Sequence, residues 1–159
     1  MKLKLIVLLF LAVAWVSCGD QKSKESPVET NRESISEESK NEAAEIDPMS
    51  NKGIGPISSV DLGEIDPDLA IKGETEFKAK CTACHKISKR HIGPALKGVT
   101  QRRSPEWIMN MILNPEDMVQ NDPIAKTLLI EYNGAPMANQ NLTEEEARSI
   151  LEYFRTKTE

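Results

Sequence analysis

Four times between residues 66 and 123 a capping side chain stands directly before a proline, at Asp66-Pro67, Ser104-Pro105, Asn114-Pro115 and Asp122-Pro123. Each pair suits a helix start. The Asp, Ser or Asn oxygen accepts one of the orphan first-turn amides, and proline fits the first helical position because its missing N–H costs nothing there. Thr143 with Glu146 three residues later adds a capping box as a fifth start. No segment shows the apolar-polar alternation of a half-buried strand. The spacing therefore predicts an all-α fold of about five short helices over residues 66–159.

The helices carry apolar stripes. Leu69, Gly73 and Phe77 recur at spacing four in the first, and Ala147, Ile150, Leu151 and Phe154 follow i, i+3, i+4, i+7 in the last. These two faces are expected to meet, with Gly73 permitting a close crossing. Trp107, Ile108, Met111 and Ile112 form a third stripe. Three stripes in 94 residues make a thin core, and a domain of this kind wants a staple or a large buried cofactor.

Upstream, the chain has a different character. Lys2 and Lys4 precede an apolar run over Leu5–Val16 that closes at Ser17-Cys18, the layout of a secretory signal and too short to span a membrane. Its cysteine ending resembles a bacterial lipoprotein signal, with a departure at Trp15, where leucine is commonest. The resemblance implies cleavage of residues 1–17 and lipidation of Cys18, now the first residue. More than one lipid chain makes such an anchor persistent, each buried methylene contributing about 0.8 kcal/mol. The other reading is a simple secreted protein with a spare thiol. Residues 18–50 are rich in Ser, Glu, Lys and Asn and are expected to form a disordered acidic tether. Counted at roughly 45 residues between Cys18 and the folded body, a coil of this kind reaches on the order of 35–40 Å. Residues 51–65, "NKGIGPISSVDLGEI", regain Ile, Val and Leu and read as an extended segment packed on the domain.

The chemistry concentrates in "KCTACHKISKRHIGPALKGV", residues 80–99. On a helical turn Cys81, Cys84 and His85 share one face. Three uses compete. A redox C-x-x-C pair expects a βαβ setting that the helix signals do not supply, and it leaves His85 idle. A zinc site could count Cys81, Cys84, His85 and His91, but adjacent Cys84 and His85 would have to bend onto one tetrahedron, and no second C-x-x-C follows. Covalent haem attachment uses every part, each thiol adding to one vinyl group while the histidine reaches the iron, and C-x-x-C-H is the attachment pattern.

Over residues 66–157 the chain resembles the class I c-type cytochromes. Gly73 and Phe77, four residues before Cys81, resemble that family's N-terminal helix contact, and "LEYF" at 151–154 its C-terminal partner. The resemblance implies a small cytochrome c fold around one covalently bound haem c held by Cys81 and Cys84. It further implies that the Pro94 carbonyl of Gly93-Pro94 accepts a hydrogen bond from His85 Nδ1, leaving Nε2 for iron. The distal ligand in the family is a methionine on the loop before the last helix, and Met137 in "GAPMANQNLTEEEA" is the only methionine so placed. Met109, Met111 and Met118 are better explained as core filling, and His91 as a solvent-facing side chain. Phe77, Leu96, Trp107, Ile112 and Leu128 are expected around the haem, with Arg102, Arg103 or Trp107 at its propionates.

Histidine with thioether ligation leaves no open iron position. The resemblance then implies a one-electron carrier, not an enzyme, cycling Fe(II)/Fe(III) between membrane or periplasmic partners of a respiratory chain. The alternative is a haem enzyme or ligand sensor, peroxidase-like, with a labile Met137. That reading lacks a distal acid-base residue in the Met137 loop. Lys78 to Arg103 hold eight Lys or Arg and no acid, whereas residues 104–159 hold ten acids and four bases, within a net charge of −5. A basic face would steer encounter with an acidic docking face on a redox protein, and nothing else supports nucleic-acid binding. The expected setting is a monomer in the cell envelope, outside the cytoplasm, lipid-anchored to a bacterial membrane with the haem domain in the periplasm.

Overall fold

The computed structural model describes residue 37 and residues 39–158, so Cys18 and the expected leader lie outside the described residues. The order is α1 (39–45), α2 (Pro67–Lys80), a 3-10 turn (Val99–Gln101), α3 (Pro105–Leu113), α4 (Pro115–Asn121), α5 (Pro123–Glu131) and α6 (Glu144–Arg155), with no strand among the described residues. The all-α expectation holds. Asp66 accepts from the amides of Asp68 and Leu69, Ser104 from that of Trp107 and Asp122 from that of Ala125. Thr143 and Glu146 complete both halves of the capping box. Asn114 makes no such side-chain cap; its amide donates instead to Asp117 Oδ2 at 3.0 Å.

Helices α2 and α6 cross at Gly73, where even a methyl group would run into the Ser149 carbonyl. The close approach seats Phe77 against Tyr153 at 5.5 Å between ring centroids and against Phe154 at 5.7 Å, edge to face. Ala70, not Leu69, completes the buried stripe with Gly73 and Phe77. Ala147, Ile150 and Leu151 of α6 are fully buried, and Trp107, Ile108 and Ile112 bring α3 into the same core.

Two acidic residues are buried among the described residues, Asp122 and Glu152. Glu152 is fully buried, accepting from Arg148, from Arg155 Nη1 at 2.7 Å and from the Asp66 amide at 2.9 Å. Burial works to raise its pKa, but the bonds from Arg148, Arg155 and the Asp66 amide together hold it below the ordinary carboxylate value. Arg155 also donates to the Gly63 carbonyl, so the start of α2 and the chain before it are tied to α6.

The chain ahead of α2 is bound to the domain further back than expected. A tether running to residue 50 is corrected over its last part: α1 is helical, Thr127 donates to the Ser39 carbonyl at 2.9 Å, and Ala43 and Ile46 pack on the core. The polar composition of this stretch hid those two apolar contacts. Residues 51–62 then run along α3. Buried Asn110 accepts from the Ile57 amide and donates to the carbonyls of Lys52 and Ile57, each at 2.9 Å. Ser104 Oγ donates to the Asn51 carbonyl, and Asn51 donates to Asp122 at 2.6 Å. Ile57, Val60 and Leu62 pack on the core from this strap.

Candidate functional site

The α2 helix stops at Lys80, and the amides of Cys84 and His85 both return to the Cys81 carbonyl, at 3.1 and 2.9 Å. This single further turn brings Cys81, Cys84 and His85 onto the wall of one cavity, about 260 Å³ in volume and open on one side. The following loop doubles back, with the Gly93 amide donating to the Cys84 carbonyl at 2.9 Å and the Lys97 amide to that of Ile87 at 2.7 Å. Gly93 thereby lies flat against the imidazole, where a Cβ would come within 2.5 Å of His85 Cε1. The next carbonyl, that of Pro94, lies 3.2 Å from His85 Nδ1 and fixes which nitrogen faces it. Burial lowers the His85 pKa, with the Pro94 carbonyl opposing, which favours the neutral ring; among the described residues Nε2 has no hydrogen-bond partner.

Met137 lines the same cavity from a different element, the loop between α5 and α6. After α5 the Tyr132 amide returns to Leu128, and Asn133 and Gly134 turn in the left-handed region at φ 60° and 73°. Glycine and asparagine tolerate that backbone best. The reversal launches the loop that carries half-buried Met137 along the cavity before α6 begins. Cavity and α6 meet at Ile150 and Phe154.

The donor set suits a large apolar group with a metal and an anionic edge. Two thiols, one neutral imidazole and one thioether share a mostly hydrocarbon pocket that also contains Leu96, Ile112 and Leu128. Before any covalent step, burial and then Glu76 push the Cys81 thiol up to about 11, with Lys80 opposing. Arg103 lines the cavity, and its Nε is the one buried side-chain nitrogen or oxygen among the described residues without a hydrogen-bond partner. Burial, with Arg102 nearby, lowers its pKa while Asp122 opposes. A carboxylate entering the cavity would satisfy that orphan donor.

Several expectations change in detail. Phe77 does not line the cavity, because the helix crossing consumes its ring in contacts with Tyr153 and Phe154; Phe154 lines the pocket in its place. Trp107 lines the cavity, but its N–H donates to Asp122 at 3.1 Å and is unavailable to a propionate. Arg102 donates to the carbonyls of Lys97 and Ala95. Met109 and Met118 are buried core residues, whereas Met111 is half-buried and faces the cavity. His91 is exposed, and no group of three or more metal-ligating His, Cys, Asp or Glu side chains exists among the described residues. Ile92 and Tyr132, which the sequence did not mark, stand at the cavity wall.

Comparison with known proteins shows the family. Residues 70–158 match the cytochrome c family model. The chain is 32% identical over 98 residues to cytochrome c-551 of Stutzerimonas stutzeri, covering 56% of this chain and 80% of that protein. It is 35% identical over 74 residues to a cytochrome c-553-like protein of Synechocystis, covering 40% of this chain and 70% of that one. Among solved structures, cytochrome c from Rhodothermus marinus is 52% identical with a TM-score of 0.62, over 64% of this chain and 88% of that one. An engineered form of the same protein, bound to a carbene intermediate, is 51% identical with a TM-score of 0.60, over 64% of this chain and 88% of that chain.

Proposed function

Because the chain belongs to the cytochrome c family, we propose that Cys81 and Cys84 would hold its single covalently bound haem c, that His85 and Met137 would ligate its iron, and that the protein is a one-electron carrier. The observation that carries this reading is the convergence of those four side chains on one apolar cavity, with His85 Nδ1 turned to the Pro94 carbonyl. The haem supplies a metal centre that gains and loses one electron. The chain's own residues do the rest. His85, held in orientation by Pro94 and by the flat face of Gly93, offers Nε2. Met137 offers a soft sulfur that favours the reduced state, and the hydrocarbon wall disfavours the extra charge of the oxidised one. Arg103 is suited to a propionate through its orphan Nε.

The partner is a redox protein with an acidic docking face. Part of the basic run is neutralised locally, Lys78 by Glu74 and Lys80 by Glu76 and Glu146. Lys86, Lys89 and Lys97 have no carboxylate partner among the described residues, and they supply the steering charge. Salt should slow the encounter. The setting is a respiratory chain at the periplasmic side of a bacterial membrane, with lipid on Cys18 as anchor. Residues from Ser39 onward are bound to the domain, which shortens the tether expected over residues 18–50 at its far end; apart from residue 37, its earlier part lies outside the described residues. Among the described residues no helix is long and apolar enough to cross a membrane.

The experiment is an intact-mass and redox measurement on protein matured in cells that attach haem. One haem should remain after acid extraction and titrate as a single one-electron wave. The Cys81→Ser, Cys84→Ser double variant should lose it. A wild-type chain without covalent haem would refute the proposal.

A further inference from the structure

We propose that Arg90 is a positioning residue for Met137, a clasp that joins the loop behind His85 to the start of the distal loop. The proposal rests on the His85/Met137 reading above. Arg90 stands five residues after His85, and Tyr132 five before Met137. Its guanidinium lies 4.1 Å from the Tyr132 ring centroid, and its Nη2 donates to the Glu131 carbonyl at 2.8 Å. Glu131 ends α5, so that carbonyl is one an α-helix leaves without an intrahelical partner, and a cation is favoured there. The Glu131 carboxylate, at 4.0 Å and about half exposed like Arg90, contributes little by itself.

Two features make this contact matter for the distal ligand. Tyr132 lines the cavity, and the left-handed turn at Asn133 and Gly134 follows it directly. Pinning the ring and the last carbonyl of α5 fixes where the Met137 loop departs. The loop itself has few ties to the rest of the domain. Between residues 135 and 141, the side-chain hydrogen bonds among the described residues are local, except for Asn139 donating to the Leu113 carbonyl at 3.4 Å. Besides the backbone bonds that end α5, the clasp is therefore the side-chain tie at the loop's entry that comes from elsewhere in the domain, and it reaches there from the loop behind His85.

Losing the clasp should favour an external ligand that competes with Met137. In the haem-loaded full chain, oxidised, Arg90→Ala should bind imidazole about tenfold more tightly than wild type. Tenfold corresponds to about 1.4 kcal/mol, the size of one cation–π contact with one hydrogen bond. Arg90→Lys should recover part of the difference, and Tyr132→Phe, which keeps the π face, should resemble wild type. In a Met137→Ala background Arg90→Ala should have no further effect, because the clasp acts through that side chain. An Arg90→Ala affinity within twofold of wild type, or an equal gain in the Met137→Ala background, overturns the clasp. If the wild type lacks the methionine-to-iron absorption band, it is the ligation reading that has failed; if the band is present and Arg90→Ala changes nothing, only the clasp has failed.

Discussion

Replacing Gly73 by alanine adds a methyl group at the closest approach of α2 and α6, 2.9 Å from the Ile150 amide nitrogen and nearer still to the Ser149 carbonyl. Both neighbours are backbone, so no side-chain rotation relieves the overlap. Restoring an ordinary contact of about 3.5–4.0 Å requires the helices to part by roughly 1–2 Å. Such a gap forfeits a large share of the dispersion attraction across the crossing, where the Phe77 ring of α2 meets those of Tyr153 and Phe154 of α6 at 5.5 and 5.7 Å. Overpacking of this kind costs about 1–3 kcal/mol, and a backbone neighbour puts it at the upper end. The better helix propensity of alanine returns about 1 kcal/mol. A net loss of about 2 kcal/mol remains. With a urea slope of about 2 kcal/mol/M, the unfolding midpoint of the haem-loaded protein should fall by about 1 M, read by far-ultraviolet circular dichroism. An unchanged or higher midpoint at the same slope would refute the crossing geometry.

Three further outcomes follow from named contacts. Glu152 has a depressed pKa in the fold, so its stabilisation is present above its unfolded pKa of about 4.3 and is lost as pH falls through the lower folded value. Glu152→Gln should destabilise the protein at neutral pH and flatten the acid limb of an unfolding-midpoint profile; an acid limb identical to wild type would contradict that role. Asn110→Ala removes the partner of the Ile57 amide and of two carbonyls, costing about 2 kcal/mol, and amide exchange should quicken at residues 52–57 before it does in α6. Gly93→Ala would press on the His85 ring, so the variant should accumulate with less attached haem per chain by absorption; full loading would mean the loop yields easily.

Much of this was legible before any coordinates. The capping side chains at Asp66, Ser104 and Asp122 act through bonds two or three residues away, which is why their helix starts read directly from the chain. Gly73 and the α6 stripe were legible for a similar reason, since helical period alone puts those positions on one face. What escaped depends on distant partners. The contact of Phe77 with residues 151–154 is expected, but nothing local shows that it leaves the ring off the cavity, or that the Trp107 N–H turns away to Asp122. The end of the expected tether differs because Ser39, Ala43 and Ile46 are bound through contacts with residues far along the chain. Met111 was assigned to the core by the same periodicity that placed Trp107 and Ile108 there, yet the cavity interrupts that core and exposes Met111 to it. The clasp of Arg90 on Tyr132 spans 42 positions and leaves no mark in any local pattern.

Two methionines facing one cavity give the central claim its sharpest test. The visible and near-infrared absorption of the oxidised, haem-loaded protein should contain the weak charge-transfer band of a methionine sulfur on ferric iron. Met137→Ala should abolish the band and Met111→Ala should keep it. A wild-type spectrum of high-spin iron without that band, or a band lost with Met111 and kept without Met137, would contradict a closed His85/Met137 electron carrier.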